Sequence, residues 1–399
     1  MKIIEIGTGY TPIPAQMGAA TEIVVEELTR AFLKIGQDVQ IVDIAAENRA
    51  ENDLPIQEVK VPRKFTKTDV SLGIMHKLKR VVYSLALAKH LKKLLKNTQE
   101  KIVLHFHNQY NAFFFFKTVS KKLRQKAIVA YTVHSYIWGT DWKEIERTVN
   151  KKYFQEVYCV KNADLVLVLN DKTTEHFTKH LGVPLENIIK VGNGVNVEKY
   201  TPLSPTQIED LKNKMDLCEK RMIFQVGSVC ERKNQLGSVQ MLTQYLQTHS
   251  DVIYAYAGGI IDDEYYQKIL NHAELNGISS QVRYVGELAP GVQLNEYYNV
   301  ADCSVFTSKL ESFGLVIIEA ISAGIPVVLS GKPMFALDSG YFLFDSEESF
   351  VAIIDKLLNE TKNTRKSGAE VVQNYNWTTI ATQHLEYFHS RMIKGQKNA

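Results

Sequence analysis

Short runs of apolar, β-prone residues alternate with helical stretches along the whole chain, and this series starts twice. The first series predicts strands at 2–7, 38–44, 102–106, 128–132 and 164–169. The second follows a glycine-rich turn at 192–196 and predicts strands at 222–226, 252–257, 283–285, 303–306 and 326–329. Strands that alternate with helices pair in parallel and carry helices on both faces of the sheet. The sequence therefore predicts the α/β class, in the form of two doubly wound units.

The length of the chain supports the same division. A single hydrophobic core does not usually serve 399 residues, so two domains of roughly 200 residues each are expected. We place the first at 1–198 and the second at 199–377, with a further helix predicted from 378.

Composition favours an ordinary globular protein, with 45% hydrophobic and 23% charged residues. No apolar run approaches the roughly 20 residues of a membrane span. Residues 1–7 predict a strand that leads to a glycine turn, and not a secretory signal. Four scattered cysteines lack CxxC or metal-ligand spacing, which is typical of a reducing compartment: Cys159, Cys218, Cys230 and Cys303. We therefore expect a cytoplasmic protein.

The net charge of +3 conceals a strongly basic segment. Residues 60–126 contain 17 Lys and Arg but only two acids, Asp69 and Glu100. Such a patch attracts anionic partners. We do not expect nucleic acid among them, because the patch contains no recognised binding motif and few aromatic residues for stacking.

Within this segment, the stretch from Ile74 to Lys96 predicts a basic amphipathic helix. Its apolar stripe at helical spacing consists of Ile74, Leu78, Val81, Leu85, Ala88, Leu91 and Leu95. Leu87 and Leu94 fall off this stripe. A basic amphipathic helix is typical of a membrane surface. The prediction is docking on an anionic membrane or an anionic polymer, and a core helix with a basic outer face is the alternative.

Two glutamates eight positions apart, Glu311 and Glu319, stand out in the second half. An apolar strand precedes Glu311, and a short helix carries Glu319. Glu311 therefore lies at the carboxyl end of a strand, where open α/β sheets bind ligands. The amides near Phe313 and Gly314 begin a helix and suit a diphosphate. Carboxylates can accept hydrogen bonds from sugar hydroxyls. The alternative is that both glutamates are solvated residues at helix ends.

A second strand-to-helix loop, at 227–234, carries two adjacent cations, Arg232 and Lys233. Lysine supplies a point charge and arginine a planar fork, and both suit diphosphate oxygens. A solvated pair of loop charges is the alternative. Gly227 opens this loop, and Gly258 opens the loop that follows the next predicted strand.

The motif from Glu311 to Glu319, continued by Ala-x-x-Ala-Gly-x-Pro-Val-Val, resembles the donor-sugar signature of GT-B glycosyltransferases, especially of glycosyltransferase family 4. The resemblance covers nearly the whole chain and is strongest over 227–328. It implies two Rossmann-like domains that face a central cleft, the first binding the acceptor and the second the nucleotide sugar. It also implies that the terminal helix, within 378–399, crosses back onto the first domain.

The resemblance implies a retaining enzyme that transfers a hexosyl or N-acetylhexosaminyl group from a nucleotide-diphosphate sugar, with a UDP-sugar expected. No metal or other cofactor is expected. The acceptor would be a glycan, a lipid-linked molecule or an anionic polymer, in cell-envelope or polysaccharide biosynthesis. Such an enzyme would be cytoplasmic, with the basic helix holding it on the inner face of the membrane.

The resemblance also assigns roles to single residues. Lys233 and Arg232 would offset charge on the leaving diphosphate. Glu319 would bind the ribose, and Glu311 would hold the donor sugar. Further donor contacts would come from Gly18, Gly227, Ser228, Gly258, Phe313, Gly314 and Leu315. Ser228 stands where the family has an arginine, and Arg232 could replace that charge.

Histidines end two strands of the first half. His134 follows one strand and resembles the family's histidine that contacts the donor sugar near the reaction centre, so we count it with the catalytic residues. His105 and His107 end the neighbouring strand, and His107 and Asn108 resemble a motif on the acceptor side. A single histidine is more often structural. The spacing of these histidines does not suit a metal site.

Two alternatives stay open beside a glycosyltransferase. One is a GT-B nucleotide-sugar epimerase or phosphorylase. The other is a non-catalytic sugar-binding relative, which only Ser228 favours. A nicotinamide oxidoreductase is disfavoured, because Gly7, Gly9 and Gly18 do not complete a dinucleotide-binding fingerprint.

Overall fold

The computed structural model describes residues 1–15, 19–65, 74–333, 335–359, 368 and 370–397, which form two compact units. The first unit is Met1–Gly194 together with the segment that starts at Trp377, and the second is Val195–Asn376. Residues 195–198 therefore belong to the second unit and Trp377 to the first.

The first unit is built on a sheet of seven strands. In chain order its elements are β1 (Ile3–Ile6), α1 (Ala20–Lys34), β2 (Val39–Ile44), β3 (Ile56–Val59), α2 (Ile74–Asn97), β4 (Ile102–Phe106), α3 (Gln109–Thr118), α4 (Lys121–Arg124), β5 (Ala127–Thr132), α5 (Trp142–Lys152), α6 (Phe154–Asn162), β6 (Leu165–Val168), α7 (Asp171–Lys179) and β7 (Ile188–Lys190). The strands lie in the order β3-β2-β1-β4-β5-β6-β7, and all pairs are parallel. The order reverses between β1 and β4, and such a switch point is where open sheets bind ligands.

The second unit repeats the plan with six strands. Its elements are α8 (Pro205–Lys214), β8 (Arg221–Val226), α9 (Gln235–Thr248), β9 (Val252–Ala257), α10 (Asp263–Leu275), β10 (Val282–Tyr284), α11 (Val292–Val300), β11 (Cys303–Phe306), α12 (Leu315–Ser322), β12 (Val327–Leu329), β13 (Tyr341–Leu343) and α13 (Glu347–Asn359). The strand order is β10-β9-β8-β11-β12-β13, again all parallel. Its switch point lies between β8 and β11. The predicted α/β class with two parallel sheets is confirmed.

The last helix, α14 (Trp377–Lys397), belongs to the first unit and packs along α1. Its buried face carries Ile380, Ala381, His384 and Phe388, which are at most 5% exposed. The rings of His384 and Phe388 each lie 5.6 Å from the ring of His105 on β4. The helix therefore covers the centre of the first sheet.

Three strands were missing from the predicted set: β3, β7 and β13. All three have only three or four residues, and all three end their sheets. An edge strand pairs on one side only and is less buried, so it lacks the continuous apolar run that marks a central strand in the sequence.

The predicted apolar stripe of α2 is wrong in part. Leu87, which fell off the stripe, is fully buried, while Leu78 and Leu85 on the stripe are each 44% exposed. The buried face includes the apolar residues Tyr83, Leu87, Ala88, Leu91 and Leu95. This face is fixed by packing against α3 and β3, which the helical spacing alone did not indicate. The helix itself runs over the predicted residues.

Within the described part of the chain, no helix is both long enough and apolar enough to cross a membrane.

Candidate functional site

Two strand-end loops of the second unit meet through glycines. Gly227 follows β8 with a φ of +153°, and Gly258 follows β9 with a φ of +137°. A Cβ atom on Gly258 would overlap the carbonyl group of Gly227, and one on Gly227 would lie 3.0 Å from the Lys233 side chain. Both the backbone conformation and the close approach therefore require glycine. This contact brings the loops after β8 and β9 together.

Lys233 and Arg232 converge on Glu311 at the switch point of the second sheet. The two cations lie in a 3-10 turn, Glu231–Lys233, after β8, and Glu311 lies in the loop after β11. Lys233 Nζ is 2.6 Å and Arg232 Nη1 is 2.7 Å from the same atom, Oε1 of Glu311. The exposed fractions of the Lys233 and Glu311 side chains are only 13%. The cluster is thus partly removed from water and carries a net positive charge.

A buried polar network supports the turn that carries these cations. Gln225 Nε2 on β8 donates to the carbonyl oxygen of Lys233 at 2.8 Å. The Ser238 hydroxyl donates to Gln225 Oε1 at 2.7 Å, and Tyr254 OH donates to the same oxygen at 2.7 Å. The Thr307 hydroxyl donates to the carbonyl oxygen of Asn234 at 3.2 Å. Because these groups satisfy one another, the network fixes the turn in one position.

The N-terminus of α12 follows Glu311 closely in the sequence and presents backbone amides. Gly314 precedes the helix with a φ of +94°, and a Cβ atom there would lie 2.9 Å from the Ile317 side chain. The first N–H groups of a helix have no acceptor within it, so the amides from Phe313 to Leu315 suit an anion. The Phe313 ring is buried 4.5 Å from the ring of Phe335. Phe313 can therefore offer its backbone but not its ring.

Glu319 lies on α12, the helix that begins with these amides, and is 8% exposed. Burial raises the pKa of Tyr298 well above its ordinary value, and the adjacent Glu319 carboxylate raises it further. The Tyr298 hydroxyl also donates to the Val316 carbonyl at 3.3 Å. The Glu319 carboxylate is thus packed beside Tyr298 within the second unit.

In the first unit, a buried chain of polar side chains crosses the switch point. Glu5 on β1 is opposite His105 on β4 in the strand register. His105 Nδ1 lies 3.0 Å from Glu5 Oε1, and His107 Nε2 lies 2.7 Å from Glu5 Oε2. His107 Nδ1 lies 3.0 Å from His134 Nε2, and the two rings stack at 5.3 Å. His105 Nε2 lies 2.7 Å from the Thr132 hydroxyl.

The charge states of this chain follow from its burial. Burial opposes ionisation of Glu5, but the charge of His105 and hydrogen bonds from both histidines outweigh it and lower the pKa of Glu5 to about 2. Burial lowers the pKa of His107 to about 4 and that of His134 well below its ordinary value. Near neutral pH, Glu5 is therefore ionised and both His107 and His134 are uncharged.

Glu5, His105 and His107 also form a group that could hold a metal ion. Among the described residues, it is the group of ligand-type side chains whose ligand atoms all lie within 4.8 Å of one another. Two nitrogens and one carboxylate oxygen are ligands that zinc accepts. The observed separations between these atoms, 2.7 and 3.0 Å, are also those of ordinary hydrogen bonds.

His107 and Asn108, the two residues predicted to contact the acceptor, both have hydrogen-bond partners within the first unit. Asn108 caps α3: its side-chain oxygen accepts from the amide of Tyr110 at 2.9 Å, and its Nδ2 donates to the Tyr10 hydroxyl at 2.8 Å. His107 is 4% exposed and lies behind His134. An acceptor contact by either one stays a prediction. Gly18 lies outside the described residues.

Sequence reasoning missed Glu5 and Gln225. Glu5 interrupts an apolar strand, Ile3-Ile4-Glu5-Ile6, and is fully buried. A charged residue inside such a run was the signal, because an ionised group is buried only where partners compensate it. Gln225 interrupts the run of β8 in the same way. The hydrogen-bond partners of Glu5 and Gln225 are distant in the sequence, so no local spacing indicated these two residues.

Two family models match the chain, one for each unit. The model described as Glycosyltransferase Family 4 matches residues 21–199, and the one described as Glycosyl transferases group 1 matches residues 207–372. Together they span most of both units. Their division agrees with the repeated α/β plan.

Relatives of known function are similar at low identity. The D-inositol 3-phosphate glycosyltransferase of Corynebacterium aurimucosum is 26% identical over 245 residues, which is 57% of each chain. The chain thus spans little more than half the length of this relative.

Solved structures are similar over the whole chain. Sucrose-phosphate synthase from Thermosynechococcus elongatus has a TM-score of 0.75 at 18% identity, covering 98% of this chain and 99% of that one. Anabaena HepE, in complex with UDP and glucose, has a TM-score of 0.72 at 17% identity, covering 98% and 100%. At such identities the likeness concerns the fold. With both family models matched in order, the chain belongs to glycosyltransferase family 4 and has the GT-B fold.

Proposed function

We propose that this protein is a retaining glycosyltransferase that takes a hexosyl group from a nucleotide-diphosphate sugar, with UDP-glucose as the donor. The observation that carries the proposal is the cluster of Lys233, Arg232 and Glu311 at the switch point of the second sheet. The family supplies the reaction class, and the HepE complex with UDP and glucose supports the choice of donor.

The cations would act on the leaving diphosphate. Charge develops on the diphosphate as the glycosidic bond breaks, and donors already in place around it lower the barrier without further reorganisation. Lys233 and Arg232 are held by the Gln225 network and by Glu311, so their positions are set before the donor arrives. Ser228 contributes no charge where the family's pattern implies an arginine, and Arg232 would take over that part.

Glu311 and Glu319 would bind the two sugars of the donor. When diphosphate oxygens attract the cations, Glu311 Oε1 loses two ion-pair partners and becomes an acceptor for donor-sugar hydroxyls. Glu319, further along α12, would accept from the ribose hydroxyls. In the first unit, His134 would hydrogen-bond to a hydroxyl of the donor sugar. Gly18, outside the described residues, stays a predicted donor contact.

We assign no side chain as a covalent nucleophile. In the family's usual front-face route, a diphosphate oxygen takes the proton of the acceptor hydroxyl, which attacks from the side that the leaving group vacates. The bond to the anomeric carbon is then made on the face where it was broken, so the configuration is retained.

We further propose that the acceptor is a glycan, a lipid-linked molecule or an anionic polymer, and that the enzyme works in the cytoplasm at an anionic membrane surface. The support is α2, whose outer face exposes Met75, Leu78 and Leu85 together with Lys89, Lys92, Lys93 and Lys96. Lys77 is exposed as well, so the outer face of α2 combines apolar and basic side chains along its length.

A thermal-shift panel of UDP, GDP and ADP with their glucose and mannose conjugates tests the donor. A ligand at a hundredfold excess over its Kd stabilises the protein by about 2.7 kcal/mol, so the preferred nucleotide should raise Tm clearly. We expect UDP and UDP-glucose to give the largest shift. The product formed from UDP-α-glucose should have the α configuration by NMR. A β product, or a shift confined to another nucleotide, would contradict the proposal.

A further inference from the structure

The hydrogen-bonded chain in the first unit begins at Glu5, which is fully buried and has no predicted contact with substrate of its own. We propose that Glu5 is a positioning residue: acting through His107, it holds His134 in the tautomer with the proton on Nε2, so that Nδ1 accepts a hydrogen bond from a sugar hydroxyl. This inference rests on the proposed function for the identity of the sugar, but not for the tautomer.

The strand register creates the chain. Parallel pairing places Glu5 beside His105 at the switch point, where both side chains are fully buried. His107 lies two residues further on, so its side chain is on the same face as His105. His134 follows β5, the neighbour of β4, and its ring stacks on that of His107. Two hydrogen bonds, between Glu5 and His107 and between His107 and His134, thus connect the interior of the sheet with the end of β5.

The direction of the first hydrogen bond is fixed by the carboxylate. An ionised carboxylate can only accept, and that of Glu5 has a histidine ring nitrogen at hydrogen-bond distance from each of its oxygens, at 3.0 and 2.7 Å. Both its oxygens are in use, Oε1 with His105 and Oε2 with His107. His107 must therefore carry a proton on Nε2.

The remaining steps follow from the number of protons. Uncharged imidazole has one N–H, and that of His107 is on Nε2, so its Nδ1 offers a lone pair. His134 Nε2, 3.0 Å away, must then be the donor. The same count leaves a lone pair on Nδ1 of His134. His134 is half-buried, and no described group hydrogen-bonds to that nitrogen.

This arrangement determines which ligand groups His134 accepts. A lone pair binds a hydroxyl, which can donate, and rejects a group that can only accept, such as a carbonyl oxygen or a fluorine. A glutamate serves this purpose because it cannot reverse its role, whereas an amide could turn and donate. Burying an ionised carboxylate is costly, and here two histidine donors compensate it.

The tautomer can be read directly by NMR on the full chain labelled with ¹⁵N-histidine. The shifts of the two ring nitrogens distinguish a protonated from an unprotonated one, and His134→Asn assigns the His134 signals. We expect Nε2 of His134 to be protonated and Nδ1 unprotonated at neutral pH, without any ligand. A protonated Nδ1 on His134 would overturn the proposal.

The Glu5→Gln variant tests the cause. Glutamine can donate through its amide, which releases His107 from its fixed role, so we expect the His134 signals to change to the other tautomer or to a mixture. His180→Gln is the matched control. His180 is exposed in the same unit, and its ring stacks on the Trp142 ring and lies beside the His176 ring. An unchanged His134 tautomer in folded Glu5→Gln would overturn the proposal.

Monodeoxy derivatives of UDP-glucose give a test that needs no change at Glu5. In the wild type, removal of the hydroxyl that His134 binds should lower kcat/KM by about tenfold or more. In His134→Ala the same deoxy donor should show little further loss. If every deoxy donor loses as much in His134→Ala as in the wild type, the proposed contact does not exist.

These measurements separate the tautomer from the enzymatic function. An Nε2-protonated His134 in a protein without turnover of UDP-glucose would sink the proposed donor and leave the positioning role of Glu5 intact. Metal analysis of the purified protein covers the remaining possibility at Glu5, His105 and His107. One bound zinc per chain, whose removal by chelator alters the histidine signals, would overturn the hydrogen-bonded chain. A metal-free protein with unchanged signals would support it.

Discussion

A single carboxylate oxygen, Oε1 of Glu311, holds both Lys233 and Arg232. One carboxylate cannot neutralise two cations, so positive charge remains in excess at this site. An incoming dianion should therefore pair with both cations with little rearrangement. Removing one cation would leave the other paired with Glu311. We therefore expect the loss of Lys233 or Arg232 to affect catalysis differently from the loss of Glu311.

Lys233→Ala should lower turnover more than it weakens donor binding. A charge on the leaving diphosphate grows in the transition state, so the lost contact acts mainly there. We expect a loss of about 2–4 kcal/mol in barrier, seen as a large fall in kcat at a similar KM. Lys214→Ala on α8, an exposed lysine of the same unit, is the control. Wild-type kinetics in Lys233→Ala would remove this residue from the site.

Glu319→Ala should act on binding instead. If its carboxylate accepts from the ribose, its loss weakens ground state and transition state alike, so the Kd of UDP rises while kcat changes little. A hydrogen bond to a charged group contributes roughly 1.5–3 kcal/mol. Calorimetric titration with UDP measures it, and Glu209→Ala, exposed on α8, serves as the control. Equal affinity in both variants would argue against a ribose contact.

Glu22 on α1 should make the protein less stable as the pH rises. Burial raises its pKa from 4.5 to about 7, although the Thr8 hydroxyl donates to it. The folded protein thus binds a proton that the unfolded chain releases, and its stabilising effect is complete below pH 4.5 and lost as the pH passes 7. The shift corresponds to about 3 kcal/mol.

Glu22→Gln keeps the uncharged form at every pH. Its free energy of unfolding in urea, compared with the wild type, should therefore increase between pH 4 and pH 9, and Glu186→Gln on an exposed turn should show no such trend. A difference between Glu22→Gln and wild type that stays constant with pH would show that Glu22 is ionised in the folded state.

At the scale of elements, the central strands could be predicted and the edges could not. β4, β9 and β11 match the expected residues, because buried parallel strands are continuous apolar runs. β3 and β13 are short and half-exposed, and their partners fix them. For the site, loop residues that follow strands were predictable by position. Glu5 and Gln225 were not, because their partners are distant in the sequence.

The contact between the loops after β8 and β9 gives an element-scale prediction. Gly258→Ala places a methyl group against the Gly227 carbonyl, so the loops must separate and the Lys233 turn must move. We expect weaker UDP binding and a lower Tm. Gly277→Ala is matched, because Gly277 also has a positive φ, +68°, but opens onto empty space. Similar losses of UDP affinity in both variants would mean that backbone strain, and not loop contact, is responsible.

For the whole molecule, we predict from the charge distribution that α2 attaches to an anionic surface. Four exposed lysines on α2 lie at its C-terminal half, Lys89, Lys92, Lys93 and Lys96. Each lysine near an anionic bilayer contributes about 1 kcal/mol, so attachment should be reversible and sensitive to salt. Tyr83, Leu87 and Leu91 form the buried face of α2. The lysines lie on its other face, which can contact a partner.

Vesicle flotation tests this attachment. We expect recovery with vesicles that contain anionic lipid, loss of recovery at high salt, and loss in a variant with the four lysines changed to glutamate. Changing Lys117, Lys121 and Lys122 to glutamate alters the charge of the same unit outside α2 and is the control. Equal recovery with neutral and anionic vesicles would rule out the membrane, and an anionic polymer acceptor would then account for the patch.

The return of α14 to the first unit has a consequence for biosynthesis. The residues that α14 covers, on α1 and around His105, are translated before the second unit, but their cover is translated only after it. Until then the nascent unit exposes the surface that Ile380, Ala381, His384 and Phe388 will bury. The first unit is thus completed only after the second has been synthesised. Ribosome-stalled chains that end before Trp377 should accordingly recruit chaperones, and release of the finished chain should end that dependence.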